Sequence, residues 1–280
     1  MRACAALPSG ASTCDTLPMT IVLIAALLYL LAAAALVRGV AHEPRPGNAW
    51  WAVPALGAVA LHAAAHVLVW RDVGAELHFF AALSLVGLGM AVLTVLYDVR
   101  GRMAALGVIV FPIAALSLLG YGQSAHTVSD TLDWRLQLHA WFALLAYAAL
   151  AVAAVLALML WAQERALRRR EFHHWLRALP PLTELESLLF RTIWVGFALL
   201  TATLVTGVLF VDDFFAQHLM HKTVLSVLSW LAFGALLLGR WRHGWRGTRA
   251  VGWTLAAMAL LVLAFFGSKF VLELVLRRTG

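Results

Sequence analysis

Leu136-Gln-Leu-His139-Ala-Trp141-Phe-Ala-Leu-Leu-Ala-Tyr147-Ala-Ala-Leu-Ala-Val-Ala-Ala-Val-Leu-Ala-Leu-Met-Leu-Trp161-Ala162 runs for 27 residues without a formal charge. Arg135 bounds it on one side and Gln163-Glu164-Arg165 on the other. As a helix it would be about 40 Å long, enough to cross the roughly 30 Å hydrocarbon core of a bilayer. It shows no period-two alternation, so a barrel strand is excluded. In lipid, a segment of this kind has to satisfy its own backbone polar groups, and an α-helix does so.

Seven further stretches have the same character, giving spans at about 19–37, 50–70, 77–97, 103–120, 136–162, 188–210, 222–239 and 250–272. Arg191, Lys222 and Lys269 are the formal charges inside them, each near a span end where a long stem can reach the interface. Over the whole chain 63% of residues are hydrophobic and 12% charged, against roughly 45–50% and about 25% in soluble domains. The expected fold class is therefore all-α, a polytopic membrane helical bundle of about eight transmembrane helices. Residues 19–276 read as a single transmembrane domain behind a short extension, residues 1–18. Met19 stands directly before the first span, so Met1 and Met19 are both candidate starts. Small residues near Ala32–Ala35 resemble a signal cleavage site, but cleavage there conflicts with the charge pattern, so the first helix reads as retained. Cys4 and Cys14 are the two cysteines. They form no CxxC pair, which argues against thiol-redox and Cys-rich metal chemistry.

Basic residues set the orientation. Arg165, Arg168, Arg169, Arg170 and Arg177 follow the fifth span, and Arg240, Arg242, Arg246 and Arg249 follow the seventh. Placing both loops in the cytoplasm gives that face 14 Lys and Arg against 6 Asp and Glu, and the other face 7 against 8. Both termini are then outside. The net charge of +7 is accounted for by loop topology and the lipid surface, and nucleic acid is not an expected partner.

Eleven histidines stand in this apolar chain. His42, His173, His174 and His243 lie among cytoplasmic arginines. His62, His66, His78, His126, His139, His218 and His221 lie mid-membrane or toward the outer face. His62 and His66 are four residues apart and share a helix face, so they cannot straddle a haem, whose axial ligands come from opposite sides. They suit one small metal ion, or one of them could ligate haem with a partner elsewhere. If His62 has a role beyond packing, it should face the bundle interior. His139 and His221 begin the fifth and seventh spans at matching outer depth, and two histidines on different helices can face each other across a planar cofactor. Trp141 and Trp134 border that position, and Lys222 or Arg135 is suitably placed for haem propionates. Most of the twelve tryptophans sit at span ends as interfacial anchors. No P-loop, GxGxxG, HExxH, GxSxG or CxxCH motif occurs, and no acidic residue lies deep in a span.

Several motifs carry a resemblance: Leu138-His139-Ala-Trp-Phe-Ala-Leu-Leu-Ala-Tyr147, Pro180-Pro181-Leu-Thr-Glu-Leu-Glu186, Gly196-Phe197-Ala-Leu-Leu-Thr201…Gly207, His221-Lys222-Thr223…Trp230, and Arg240…Gly244-Trp245-Arg246-Gly247. Together they resemble the cytochrome c assembly family, which includes CcsA-type and the smaller HemX-like and YpjD-type inner-membrane proteins. The likeness covers most of residues 50–275 and is closest to the YpjD-type. It implies a bacterial inner-membrane protein that handles haem at the outer face, with apocytochrome c or other assembly proteins as partners. His139 matches the first histidine flanking the family's tryptophan-rich WWD segment, and His62 matches a histidine in an early helix. His221-Lys222-Thr223 stands where that segment ends in CcsA-type members. Residues 211–218 contain no tryptophan, and the last span lacks the histidine those members carry. The resemblance therefore implies haem binding or an accessory role in assembly rather than a full haem lyase.

The resulting expectation is a haem-binding membrane protein of cytochrome c biogenesis. The haem is b-type, with His139 and His221 as axial ligands to iron, and His62, Trp141 and Lys222 complete the cofactor-binding set. The alternative class is a transporter or export factor for a metal ion or small solute, using His62, His66 and His78 as a polar track.

Overall fold

In a computed structural model the described residues, which are 13–41, 50–74, 77–97, 104–124, 133–170, 180–210 and 217–267, form helices joined by short turns and links. The helices are α1 (Thr13–Ala41), α2 (Ala52–Val73), α3 (Phe79–Tyr97), α4 (Ala104–Gly122), α5 (Trp134–Arg168), α6 (Leu182–Phe210), α7 (Gln217–His243) and α8 (Thr248–Val262), the last running on into a π-helical turn, Leu263–Gly267. All eight are long and apolar enough to cross a membrane, as expected from the sequence.

The chain divides into two compact units, residues 1–131 and 132–280. In the first, α1 packs on α2 and α4, and α3 completes the ring between them. In the second, α5 packs on α6 and α8, and α7 completes the ring. Each unit is thus a four-helix ring whose chain neighbours lie side by side, the arrangement that short connections favour. α5 and α7 consequently stand on the diagonal of the second ring. The first unit closes on small residues. Ala25, Ala55, Ala58, Ala81 and Ala114 are fully or almost fully buried. Small side chains let helix backbones approach where lipid offers no hydrophobic drive for association.

α5 and α6 form the most extensive helix pair, and glycines explain how they pack. A β-carbon at Gly196 would lie 2.5 Å from Leu150 Cδ2 and 2.6 Å from its Cγ. One at Gly207 would lie 3.3 Å from His139 Cε1. The two glycines are eleven residues apart on α6, and Leu150 and His139 are eleven apart on α5. One antiparallel register therefore holds over about three helical turns.

Both helices outrun their uncharged stretches. α5 continues through Gln163 to Arg168, and α6 starts at Leu182, ahead of the expected 188. Polar pairing explains the extension. Gln163 Nε2 donates to Pro180 O at 3.1 Å. Glu186 of α6, 7% exposed, accepts from Arg240 Nη1 at 2.7 Å and from Arg246 Nε and Nη2 at 3.0 and 2.8 Å. Arg240 also donates to Trp245 O at 3.2 Å. Gly244 and Gly247 have φ of +62° and +58°, a left-handed conformation that favours glycine. The link Gly244-Trp245-Arg246-Gly247 thus folds Arg246 back onto Glu186, whose carboxylate raises the guanidinium above its ordinary pKa. At the far side of the ring, Tyr147 Oη donates to Leu261 O at 2.6 Å, where α8 passes into its π turn.

Replacing Gly196 by valine should force α5 and α6 apart. The expected cost is about 1–3 kcal/mol, seen as a lower thermal midpoint in detergent. A midpoint unchanged in Gly196→Val would contradict the close approach.

Candidate functional site

Two groups of polar side chains are candidates, one in each unit. In the first, α2 carries His62 and His66 inward, 0% and 2% exposed, as the interior-facing expectation required. Tyr29 of α1 and Ser84 of α3 are also 0% exposed. Tyr29 Oη lies 3.2 Å from His62 Nδ1. Ser84 Oγ lies 2.9 Å from His62 Nε2 and 3.0 Å from His66 Nε2. The His66 ring stacks on Tyr121 at 4.2 Å, and Tyr121 stacks on His78 at 6.0 Å.

Serine has one hydrogen to give. It donates to one of the two imidazoles and accepts from the other, so one of His62 and His66 carries a hydrogen on Nε2 and the other does not. Both nitrogens of His62 are engaged, and its use as a ligand would require one of these bonds to break. Among the described residues, no group of three or more His, Cys, Asp or Glu is placed to hold a metal ion. Ser84 and Tyr29 are not legible in the sequence, because a hydroxyl in an apolar span carries no spacing signal.

The second group is built on α5 and α6. His139 Nδ1 lies 3.2 Å from Thr206 Oγ1. The single hydroxyl hydrogen of Thr206 is directed at the carbonyls of Ala202 and Thr203, 2.8 and 3.0 Å away. Its oxygen therefore accepts from the imidazole, and Nδ1 carries the ring's hydrogen. The Thr203 backbone carbonyl also accepts from the ring, and with Nδ1 as the donor the lone pair is on Nε2. A neutral imidazole with Nδ1–H anchored and the lone pair on Nε2 is the usual state of a metal-ligating histidine.

The other expected members of the site are placed as follows. Trp141 lies two residues after His139, about 200° around the helix, and is 44% exposed. Arg135 sits over the rings of Trp134 and Phe210 at 5.7 and 5.9 Å. His221 is in the first turns of α7, but its side chain lies outside the described residues, as do those of His126, His218, Lys269, Cys4 and Cys14. Lys222 is half-buried. Since α5 and α7 share a diagonal, His139 and His221 occupy corresponding early positions on opposite helices of one ring. Thr206 and Gly207, which touch His139, carry no spacing signal in the sequence that marks them out.

The comparisons with known proteins bear on both groups. A family model described as "Cytochrome C assembly protein" matches residues 50–276. The chain belongs to the cytochrome c assembly family. The inner membrane protein YpjD of Escherichia coli K12 is 30% identical over 262 residues, covering 90% of this chain and 98% of that protein. The cytochrome c biogenesis protein CcsA of Prochlorococcus marinus MIT 9303 is 30% identical over 86 residues, 30% of this chain and 27% of that protein. An uncharacterized 28.8 kDa protein of Azospirillum brasilense is 39% identical over 143 residues, 50% of this chain and 53% of that protein. No solved structure matches. The cytochrome c assembly match begins at α2 and includes His62, Ser84, His139, Thr206 and His221. The transporter alternative gains nothing from it.

Ser84→Ala should leave two buried imidazole nitrogens without their partner. The expected loss is about 1–3 kcal/mol of stability, measured by thermal unfolding in detergent. Ser84→Thr, which keeps the hydroxyl, should lose less. Equal stability of Ser84→Ala and the parent would show that the hydrogen bonds do not matter.

Proposed function

We propose that this protein is a multi-pass inner-membrane component of cytochrome c assembly that binds haem as cargo in its second helical unit. Family membership supports the assembly role. The single observation that carries the haem reading is His139, whose Nδ1 is seated 3.2 Å from Thr206 Oγ1, an arrangement that puts the lone pair on Nε2. Through this nitrogen His139 would hold haem iron. His221, early on the diagonal helix α7, is the proposed second ligand, as in a bis-histidine b-type site. Lys222 and Arg135 are the proposed partners of the propionates. Trp141 lies on the other face of α5 from His139, and we assign it no contact with the bound haem. His62 belongs to the other unit, and we assign it no place in this site.

The proposed orientation follows the charge bias of the loops, with residues 163–187 and 240–249 in the cytoplasm and both termini outside. His139 and His221 then open to the outer side, where apocytochrome c would be met. An accessory role in handing on or retaining haem suits a member without the tryptophan-rich segment.

His139→Ala should lower the haem that co-purifies with the protein by about 10-fold or more, in line with the loss of a metal ligand or its close support. His173→Ala, in a cytoplasmic loop, should leave it unchanged. Full haem retention in His139→Ala would overturn the ligand assignment. For the orientation, single cysteines at Gln123 and Arg168 should react with a membrane-impermeant reagent from opposite sides of the membrane. Reaction from the same side would remove the outer location of the site.

A further inference from the structure

A histidine ligand needs more than a place on a helix. It must present the correct nitrogen with its lone pair free, and its ring must be held where the iron will be. In water the neutral histidine side chain favours its hydrogen on Nε2, which is the wrong arrangement for ligation through that nitrogen. α6 offers two features that act on this choice. Thr206, 8% exposed, has an oxygen 3.2 Å from His139 Nδ1. Its own hydrogen is committed to the helix carbonyls of Ala202 and Thr203, so the oxygen is an acceptor toward the ring, beside the Thr203 carbonyl that also bonds His139. Gly207 is the next residue. A β-carbon there would meet His139 Cε1 at 3.3 Å and Nδ1 at 3.6 Å. The imidazole lies against the α6 backbone here, and a side chain at this position would press the ring back by a few tenths of an ångström.

We propose that Thr206 and Gly207 are positioning residues for His139: Thr206 fixes the tautomer with hydrogen on Nδ1, and Gly207 gives the ring its seat on α6. The haem-directed purpose of this arrangement rests on the proposed haem reading; the tautomer itself does not. Thr206 is not a ligand. It acts by keeping the Nε2 lone pair available, and by holding Nδ1–H it strengthens electron donation from the imidazole. Loss of that acceptor should both loosen the bound group and raise its reduction potential. The effect belongs to the hydroxyl oxygen and not to side-chain volume, so serine should replace threonine and valine should not. A side chain at position 207 should displace the ring even with Thr206 intact.

The test uses the full chain in detergent micelles, labelled with ¹⁵N-histidine and prepared without haem. The His139 resonances are identified by their absence in His139→Ala. In the parent, Nδ1 should carry the hydrogen and Nε2 should show the shift of a bare ring nitrogen. Thr206→Val should move the ring toward the Nε2–H form, and Thr206→Ser should restore the parental pattern. Gly207→Val should change the His139 signals as well. The other ten histidines report whether each variant is folded, and a variant that alters them broadly is replaced by the comparison of Thr206→Ser with the parent. Hydrogen on Nε2 in the parent, or a spectrum unchanged by Thr206→Val, would overturn the positioning role. With haem added, Thr206→Val should retain about 10-fold less than the parent, and the fraction retained should have a higher reduction potential. A tautomer that shifts as expected with no change in haem retention or potential would overturn the haem-directed purpose. If the tautomer behaves as expected but His139→Ala keeps its haem, the ligand reading fails while the positioning of His139 stands.

Discussion

The second unit depends on how closely α6 can lie against α5. Leu150 occupies the volume that any side chain at Gly196 would need, and His139 occupies the edge of the volume next to Gly207. Because these two contacts fall in one register, the packing that closes the helix pair also delivers Thr206 to His139. Toward the other end of α6, Glu186 lies ten residues before Gly196. There it gathers Arg240 and Arg246 from the end of α7 and the link to α8. A buried carboxylate is costly unless paired, so this cluster fixes where α7 and α8 enter the ring. The chemistry at one end and the ionic closure at the other are thus tied by a single helix pair.

The first unit meets the same constraint in another way. Lipid gives no partner to a stray polar group, and Tyr29, His62, Ser84 and His66 are all shut away from the surface. Tyr29 bonds His62 directly, and His62 and His66 share the Ser84 hydroxyl. The contrast with His139 is chemical. His62 has both nitrogens occupied, whereas His139 has Nδ1 held and the lone pair on Nε2. A histidine in a membrane span is a functional candidate in either case, but only the second arrangement is prepared to take a ligand from outside its own unit.

The eight helices could be read directly, because uncharged runs of about 20 residues have one structural solution in a bilayer. Boundaries slipped where the signal was only hydropathy. Gln163–Arg168 and Leu182–Ser187 are polar enough to look like loop, yet Gln163, Glu164 and Glu186 find partners that keep the helices going. His139 and His62 stood out as rare residue types. Thr206, Ser84 and Tyr29 did not, since periodicity gives the face of a helix but not its neighbour, and in lipid every face is apolar. The motifs Gly244-Trp245-Arg246-Gly247 and Pro180…Glu186 were visible as a family resemblance. Their physical reason, one carboxylate shared by two arginines across a left-handed glycine link, required the folded chain.

The central claim is that this fold carries haem. Its most direct test is the absorption spectrum of the full-length protein purified from cells that make haem, recorded oxidised and then reduced. A Soret band with α and β bands that sharpen on reduction is the predicted result. A folded protein that shows no haem bands, and instead holds a stoichiometric metal ion or nothing, would contradict the account.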